Sequence, residues 1–245
     1  MSCLHVSPPN CGVPPGCPDQ WGCPPGRCPD FQIKRHDIKP SFKVSVEDDE
    51  TGDPMDLTGL VLEANMWLCT KFKANVADSD TSFQLADNKG FNQILEGDVI
   101  VTDRIRNPEQ MLVTGFDEDN KLIQVQRGYN GTVASNWKKG AGMRIFRILN
   151  ASAATEMKYE DVTQPDGCVL QNQLAESFLV YEWSPNDTCV PGCFWFEFKL
   201  LKMGTEPTIS VTPVCTMGDG VEWVRRYPAC GEYLIKICDS PTSEA

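Results

Sequence analysis

Long hydrophobic runs are missing from this chain. No apolar stretch approaches the roughly 18 residues that a membrane helix requires, so neither a membrane span nor a membrane partner is expected. The start, MSCLHVSPPN, lacks a basic segment followed by an apolar one, and no secretory signal is expected from it. Positive charge is scarce as well: 22 Lys and Arg stand against 34 Asp and Glu, a net charge of −12. A phosphate-binding surface needs clustered cations, so nucleic acid is not an expected partner. The only histidines are His5 and His36, which leave little for a His-based triad or general base. No Gly-x-Ser-x-Gly, phosphate loop or dinucleotide fingerprint occurs. These gaps argue against an enzyme. A sustained apolar stripe of 3.6-residue period is also lacking, so helices should be few and short.

What the chain does have is alternation. With 245 residues and 41% hydrophobic content it can bury one large core or two modest ones. The clearest stretch runs from Phe178 to Leu201, FLVYEWSPNDTCVPGCFWFEFKLL. Leu179, Tyr181 and Trp183 share one side of its first part, while Phe194, Phe196, Phe198 and Leu200 share one side of its last. A period of two is what a half-buried strand needs, because successive side chains leave opposite faces. Ser-Pro-Asn-Asp and Pro-Gly between the two runs supply turn geometry. The expectation is an antiparallel pair whose aromatic face meets a second layer.

Phe42, Val44 and Val46 alternate in the same way, as do Leu60, Leu62, Ala64, Met66 and Leu68. With the acidic run Glu47–Pro54 between them they suggest a hairpin. That run lacks the spaced ligands and distal Glu of a calcium loop, so a solvated turn is expected; Asp117–Asn120 is judged alike. Within 77–150, short apolar runs recur between turn signals such as Asn130-Gly131. These suggest a small all-β unit inserted between strands of an outer domain. The outer strands then resume at Glu156–Val162, Thr208–Cys215 and Glu232–Ile237. The expected division is an arm at 1–30, an outer β domain at 31–76 and 151–239, an inserted β domain at 77–150 and a tail at 240–245.

The arm is rich in cysteine, proline and glycine. Cys3, Cys11, Cys17, Cys23 and Cys28 sit among Pro-Pro-Gly punctuation, where no helix or central strand can form. Having little apolar surface to bury, it would be ordered only by sulfur chemistry or a neighbouring chain. Cys189 and Cys193 flank the loop of the aromatic stretch. Disulfides within or between chains are the leading expectation for these seven. Free buried thiols are an alternative, and so is a zinc or iron–sulfur cluster at the arm. No other cofactor or metal is expected. Four aromatic residues are candidate contact residues: Trp21, Trp195 on the side opposite the phenylalanine stripe, and Tyr129 with Trp137 in the inserted unit.

Two segments carry a family resemblance. FQIKRHDIKPSFKVSVEDDETGDPMDLTGLVLEANMW (Phe31–Trp67), with its Leu57-Thr58-Gly59 step, resembles the opening of the phage baseplate upper protein N-terminal domain. VYEWSPNDTCVPGCFWFEFKL is similar to that family's closing half, and TPVCTMGDGVEWVRRYPACGEYLIKI to its last hairpin. Residues 97–140 resemble a β-roll module of phage tails, marked by Gly97-Asp98, Glu109–Val113 and Arg127-Gly128-Tyr129-Asn130-Gly131-Thr132.

The resemblance implies an all-β fold, an immunoglobulin-like β-sandwich with a small inserted β domain; the irregular Cys/Pro/Gly-rich arm belongs to neither pattern and is expected from the residues alone. The resemblance also implies a structural protein of the virion tail or baseplate, assembled in the host cytoplasm, that connects tail fibres or receptor-binding proteins to the tail. Its partners would be other tail, baseplate and fibre proteins, with several copies arranged symmetrically. Two other readings compete. One is a carbohydrate- or cell-surface-binding adhesion module, using an aromatic platform of Tyr129 and Trp137. The other is a head or neck decoration protein.

Overall fold

The computed structural model describes residues 29–48, 51–102, 108–149, 153–202, 223–227 and 233–238. The arm to residue 28 with its five cysteines and Trp21, the expected strand at 208–215 and the tail at 240–245 lie outside the described residues.

The protein is mostly β. Thirteen strands are described: β1 (Phe31–Lys34), β2 (Phe42–Ser45), β3 (Leu60–Lys71), β4 (Ser82–Gln84), β5 (Val99–Thr102), β6 (Gln110–Asp117), β7 (Leu122–Gln126), β8 (Gly142–Arg147), β9 (Ala153–Thr163), β10 (Val169–Tyr181), β11 (Gly192–Lys202), β12 (Trp223–Tyr227) and β13 (Tyr233–Cys238). Helix is confined, among the described residues, to the single turn α1 (Asn88–Phe91) and a 3₁₀ turn at Tyr129–Gly131.

The strands form two sheets. The larger has ten strands in the order β1-β13-β11-β3-β8-β5-β6-β7-β4, with β12 also paired to β11; the smaller is β2-β10-β9. The aromatic stretch therefore divides. β10 belongs to the small sheet and β11 to the large one, so the expected antiparallel pair is replaced by two strands facing each other across the core. Each carries an aromatic face too large to leave in water, and each buries it against the other. Tyr181 meets Phe196 at 5.5 Å between ring centroids, and Trp183 meets Phe196 at 5.8 Å.

β2 and β3 part in the same way, so they are not the expected hairpin. β2 pairs with β10 (Phe42↔Tyr181), whereas β3 pairs with β11 (Met66↔Phe196) and β8 (Met66↔Arg147). The acidic run between them is the solvated turn expected at its ends: Glu47 bridges Pro54, and Asp48 N–H bonds Asp53 O at 2.8 Å. The last strand, β13, lies antiparallel to β11 and parallel to β1, with Phe31 opposite Ile235.

Phe42 is the hinge of the aromatic layer. Its ring lies within 5.7 Å of those of Phe31, Phe196, Phe198 and Tyr233, drawing on four strands. The stripe Phe194, Phe196, Phe198 and Leu200 is fully buried. Strands β4 to β8 continue the large sheet instead of starting a separate one. β8 pairs with β3 on one side and β5 on the other, and one core cluster runs from Phe196 to Ile100 and Ile123.

Truncating the layer is expected to cost stability at the upper end of the range for core changes. Phe196→Ala should lower unfolding free energy by about 3–5 kcal/mol. Urea denaturation followed by tryptophan fluorescence checks this; a loss below about 1 kcal/mol would mean that the two sheets do not depend on that ring.

Candidate functional site

In the part of the large sheet formed by β4 to β8, called the roll below, the charged side chains that are buried are held by backbone groups of neighbouring segments. Glu109 precedes β6 and Arg127 follows β7. Their side chains are 0% and 6% exposed and meet in a bidentate pair, Nε to Oε1 at 2.6 Å and Nη2 to Oε2 at 2.9 Å. Arg127 donates its remaining protons to the carbonyls of Ala77, Asp80 and Ser135. Glu109 Oε2 also accepts from Ser135 N–H and from Trp137 Nε1 at 2.7 Å. A buried ion pair is tolerated only when its other lone pairs and protons are satisfied in this way.

Trp137 is thus part of the packing. It is 9% exposed, its ring stacked on Phe72 at 6.1 Å between centroids and an interplanar angle of 11°. The roll accordingly offers no paired platform of Tyr129 and Trp137. Tyr129 is half-buried against a small second cluster of Trp67, Val99, Val101 and Phe146. Gly128 allows the turn that sets Tyr129 there: its φ is +63°, and a Cβ would meet Thr132 O at 2.8 Å.

A second buried pair lies within the same stretch, where β8 meets the start of β5. Arg147 on β8 donates from Nε to Asp98 Oδ1 at 3.3 Å and from Nη2 to the carbonyl of Gln93. Its guanidinium also lies 5.2 Å from the centre of the Phe194 ring. Gly192 sits against this group, for a Cβ there would stand 2.9 Å from the Gln93 side chain. Burial pushes the Asp98 carboxyl up, with Arg147 and the Leu95 N–H pulling it partly back.

The face of the large sheet opposite the phenylalanine stripe holds Trp195, half-buried and packed on the same second cluster. Beside it Lys199 Nζ lies 3.3 Å from Glu197 Oε1, both groups buried, and Glu63 stands opposite Lys199 in the register. Burial raises the Glu63 carboxyl, with Lys199 opposing that rise and Glu197 adding to it. Trp195 is therefore only partly available as a contact.

Among the candidate cysteines, Cys189 is a free thiol, half-buried, and its carbonyl accepts from Arg35 Nε at 2.7 Å. Cys193 and Cys238 are disulfide-bonded. Cys3, Cys11, Cys17, Cys23, Cys28 and Trp21 lie outside the described residues. Among the described residues, no group of three or more His, Cys, Asp or Glu is arranged to hold a metal. His36 sits in an exposed turn at φ +62°, with no ionisable partner among the described ion pairs.

Among the described residues, one exposed feature is a ribbon. β9 and β10 pair over their whole length, yet residues 158–173 are exposed on both strands. The strand expected at Glu156–Val162 lies within β9, whereas the exposed start of β10, from Val169 to Gln173, was not expected, since an exposed two-stranded arm carries no apolar period. No family model matches the chain, and no curated protein matches it.

Two outcomes follow for the roll. Glu109→Ala leaves Arg127, Ser135 N–H and the indole N–H buried without their acceptor, and should cost about 3–5 kcal/mol. Burial raises the Glu109 carboxyl, but hydrogen bonds from Arg127, Trp137 and Ser135 outweigh it and hold the folded-state pKa below the ordinary value. Its contribution is therefore complete above the unfolded value of about 4.3 and is lost as pH falls through the lower folded value. Urea titrations at stepped pH should show Glu109→Gln losing less stability on acidification than the parent. Asp98, shifted upward, works in the opposite sense and is common to both proteins.

Proposed function

We propose that this chain is a structural protein of a tailed-phage virion, placed in the baseplate or tail tip, where it connects tail fibres or receptor-binding proteins to the tail. In this reading the two facing sheets are an immunoglobulin-like sandwich and β4 to β8 are an inserted roll. One observation carries it. Glu109 and Arg127, which head two of the marks by which the middle segment resembles a tail module, meet in a single buried ion pair. The resemblance thus falls on residues that hold the roll together, which degenerate matches scattered over the surface would not do.

The described charges inside the protein support a role without turnover. They are spent on fixing strands to strands, and the exposed ribbon is a surface for contact. The adhesion reading loses its main support, because Trp137 is packed under Phe72 and bonded to Glu109. In the same reading the arm cysteines staple a neighbouring subunit after release from the reducing host cytoplasm.

Cross-linking mass spectrometry on purified virions tests the assignment. Cross-links from the exposed lysines of this chain to fibre or hub proteins are expected, together with fibreless tails when the chain is withheld. Virions that lack the chain, or intact fibre attachment without it, would overturn the reading.

A further inference from the structure

The ribbon of β9 and β10 needs a partner. From Met157 to Thr163 it runs roughly 20 Å at the rise of an extended strand, and an isolated two-stranded hairpin is marginal in water. It nonetheless leaves Tyr159, Val162, Val169 and Leu170 between 41% and 53% exposed. It is also acidic: residues 153–181 contain Glu156, Glu160, Asp161, Asp166 and Glu176 but a single cation, Lys158. Lys43 takes up Glu156 and Lys158 takes up Glu176. Glu160, Asp161 and Asp166 are left facing solvent towards the tip, with no cation paired to them among the described residues.

The complementary surface is on the same chain. Lys71 ends β3 opposite Gly142; Gly140 N–H bonds Phe72 O, and Val76 bridges Trp137. This register sets Lys71 and Lys73 beside Lys138 and Lys139, all four exposed. None of the four enters an ion pair among the described residues, on a chain of net charge −12. Asp78 and Asp80 lie nearby, Asp78 N–H bonding Asn136 Oδ1 at 3.0 Å and Asp80 Oδ2 accepting from Ala77 N–H, but neither carboxylate enters an ion pair with these lysines among the described residues. Val133, 78% exposed, lies on the stretch leading to Trp137 and adds an apolar element.

The two surfaces lie at opposite ends of the protein. Phe196 pairs with Met66, and its ring meets Phe42 and Tyr181, the latter paired with Ala153. From this level β3 runs one way to Lys71. β9 runs the other way, past the level where Ser177 O accepts from Val46 N–H and Val46 O from Met55 N–H, close to where β3 begins, and on to Thr163. A ribbon cannot reach the lysines of its own chain.

We propose that the ribbon of one copy docks on the lysine cluster of the next, so that copies associate head to tail. Two different patches make the contact heterologous, and such contacts close into a ring or run on as a filament. Charge attracts the partners and the exposed apolar residues are covered on docking. The association is a property of this chain alone, so it stands or falls separately from its place in a virion.

Sedimentation velocity on the full, reduced chain tests it. Association is expected at about 50 mM salt and should weaken at least tenfold at about 300 mM, where charges beyond roughly 6 Å are screened. Glu160→Lys with Asp161→Lys, or Lys138→Glu with Lys139→Glu, should each abolish association. Mixing the two variants should restore it, because each then offers the other a matching pair of surfaces. A wild-type chain that stays monomeric at low salt overturns the proposal. So does association indifferent to salt and to either charge reversal, or a mixture that fails to recover.

Discussion

Phe196 and its neighbours on β11 form a layer that both sheets must share. The small sheet has three strands, and its Phe42, Tyr181 and Trp183 find cover chiefly against β11, with Phe31 of β1 and Tyr233 of β13 closing the layer at its side. A layer built from whole rings leaves few alternative packings, since ring pairs favour offset or edge-on contacts over loose stacking. Everything else is arranged from there. β3 takes its register from β11, β8 from β3, and the roll from β8.

Charge plays the next part. The roll has one buried pair, Glu109 with Arg127, and a second, Asp98 with Arg147. Both exchange hydrogen bonds with backbone carbonyls or amides, which makes them fastenings between segments far apart in sequence. Burial raises both carboxyls, and they differ in how far hydrogen bonds oppose it. Glu109 has enough donors to stay ionised easily, whereas Asp98 is raised by burial. The difference is one of donor number.

Much of the strand content was legible in the sequence, and little of the neighbour choice. Alternation at Leu179, Tyr181 and Trp183 says which side is buried, and all three are buried. It does not say which strand lies alongside, because a strand's period specifies a face and not a partner. Hence β10 and β11 looked like a pair and are opposed layers. The parallel contact of β1 with β13 joins residues some two hundred positions apart, beyond any local signal. The setting of Trp137 is hidden for a related reason: nothing in its polar loop tells that Glu109, 28 residues away, accepts the indole proton.

The pairing of β1 with β13 has a mechanical meaning. Phe31 to Lys34 lie parallel to Ile235 to Cys238, so a pull entering at residue 31 and leaving at residue 238 slides the strands lengthwise. In that direction all the cross-strand bonds are strained together, whereas a hairpin peeled from its open end gives them up one by one. The fold is thereby clamped where its outermost described strands meet, and tension along the chain must break the clamp before it can reach the aromatic layer.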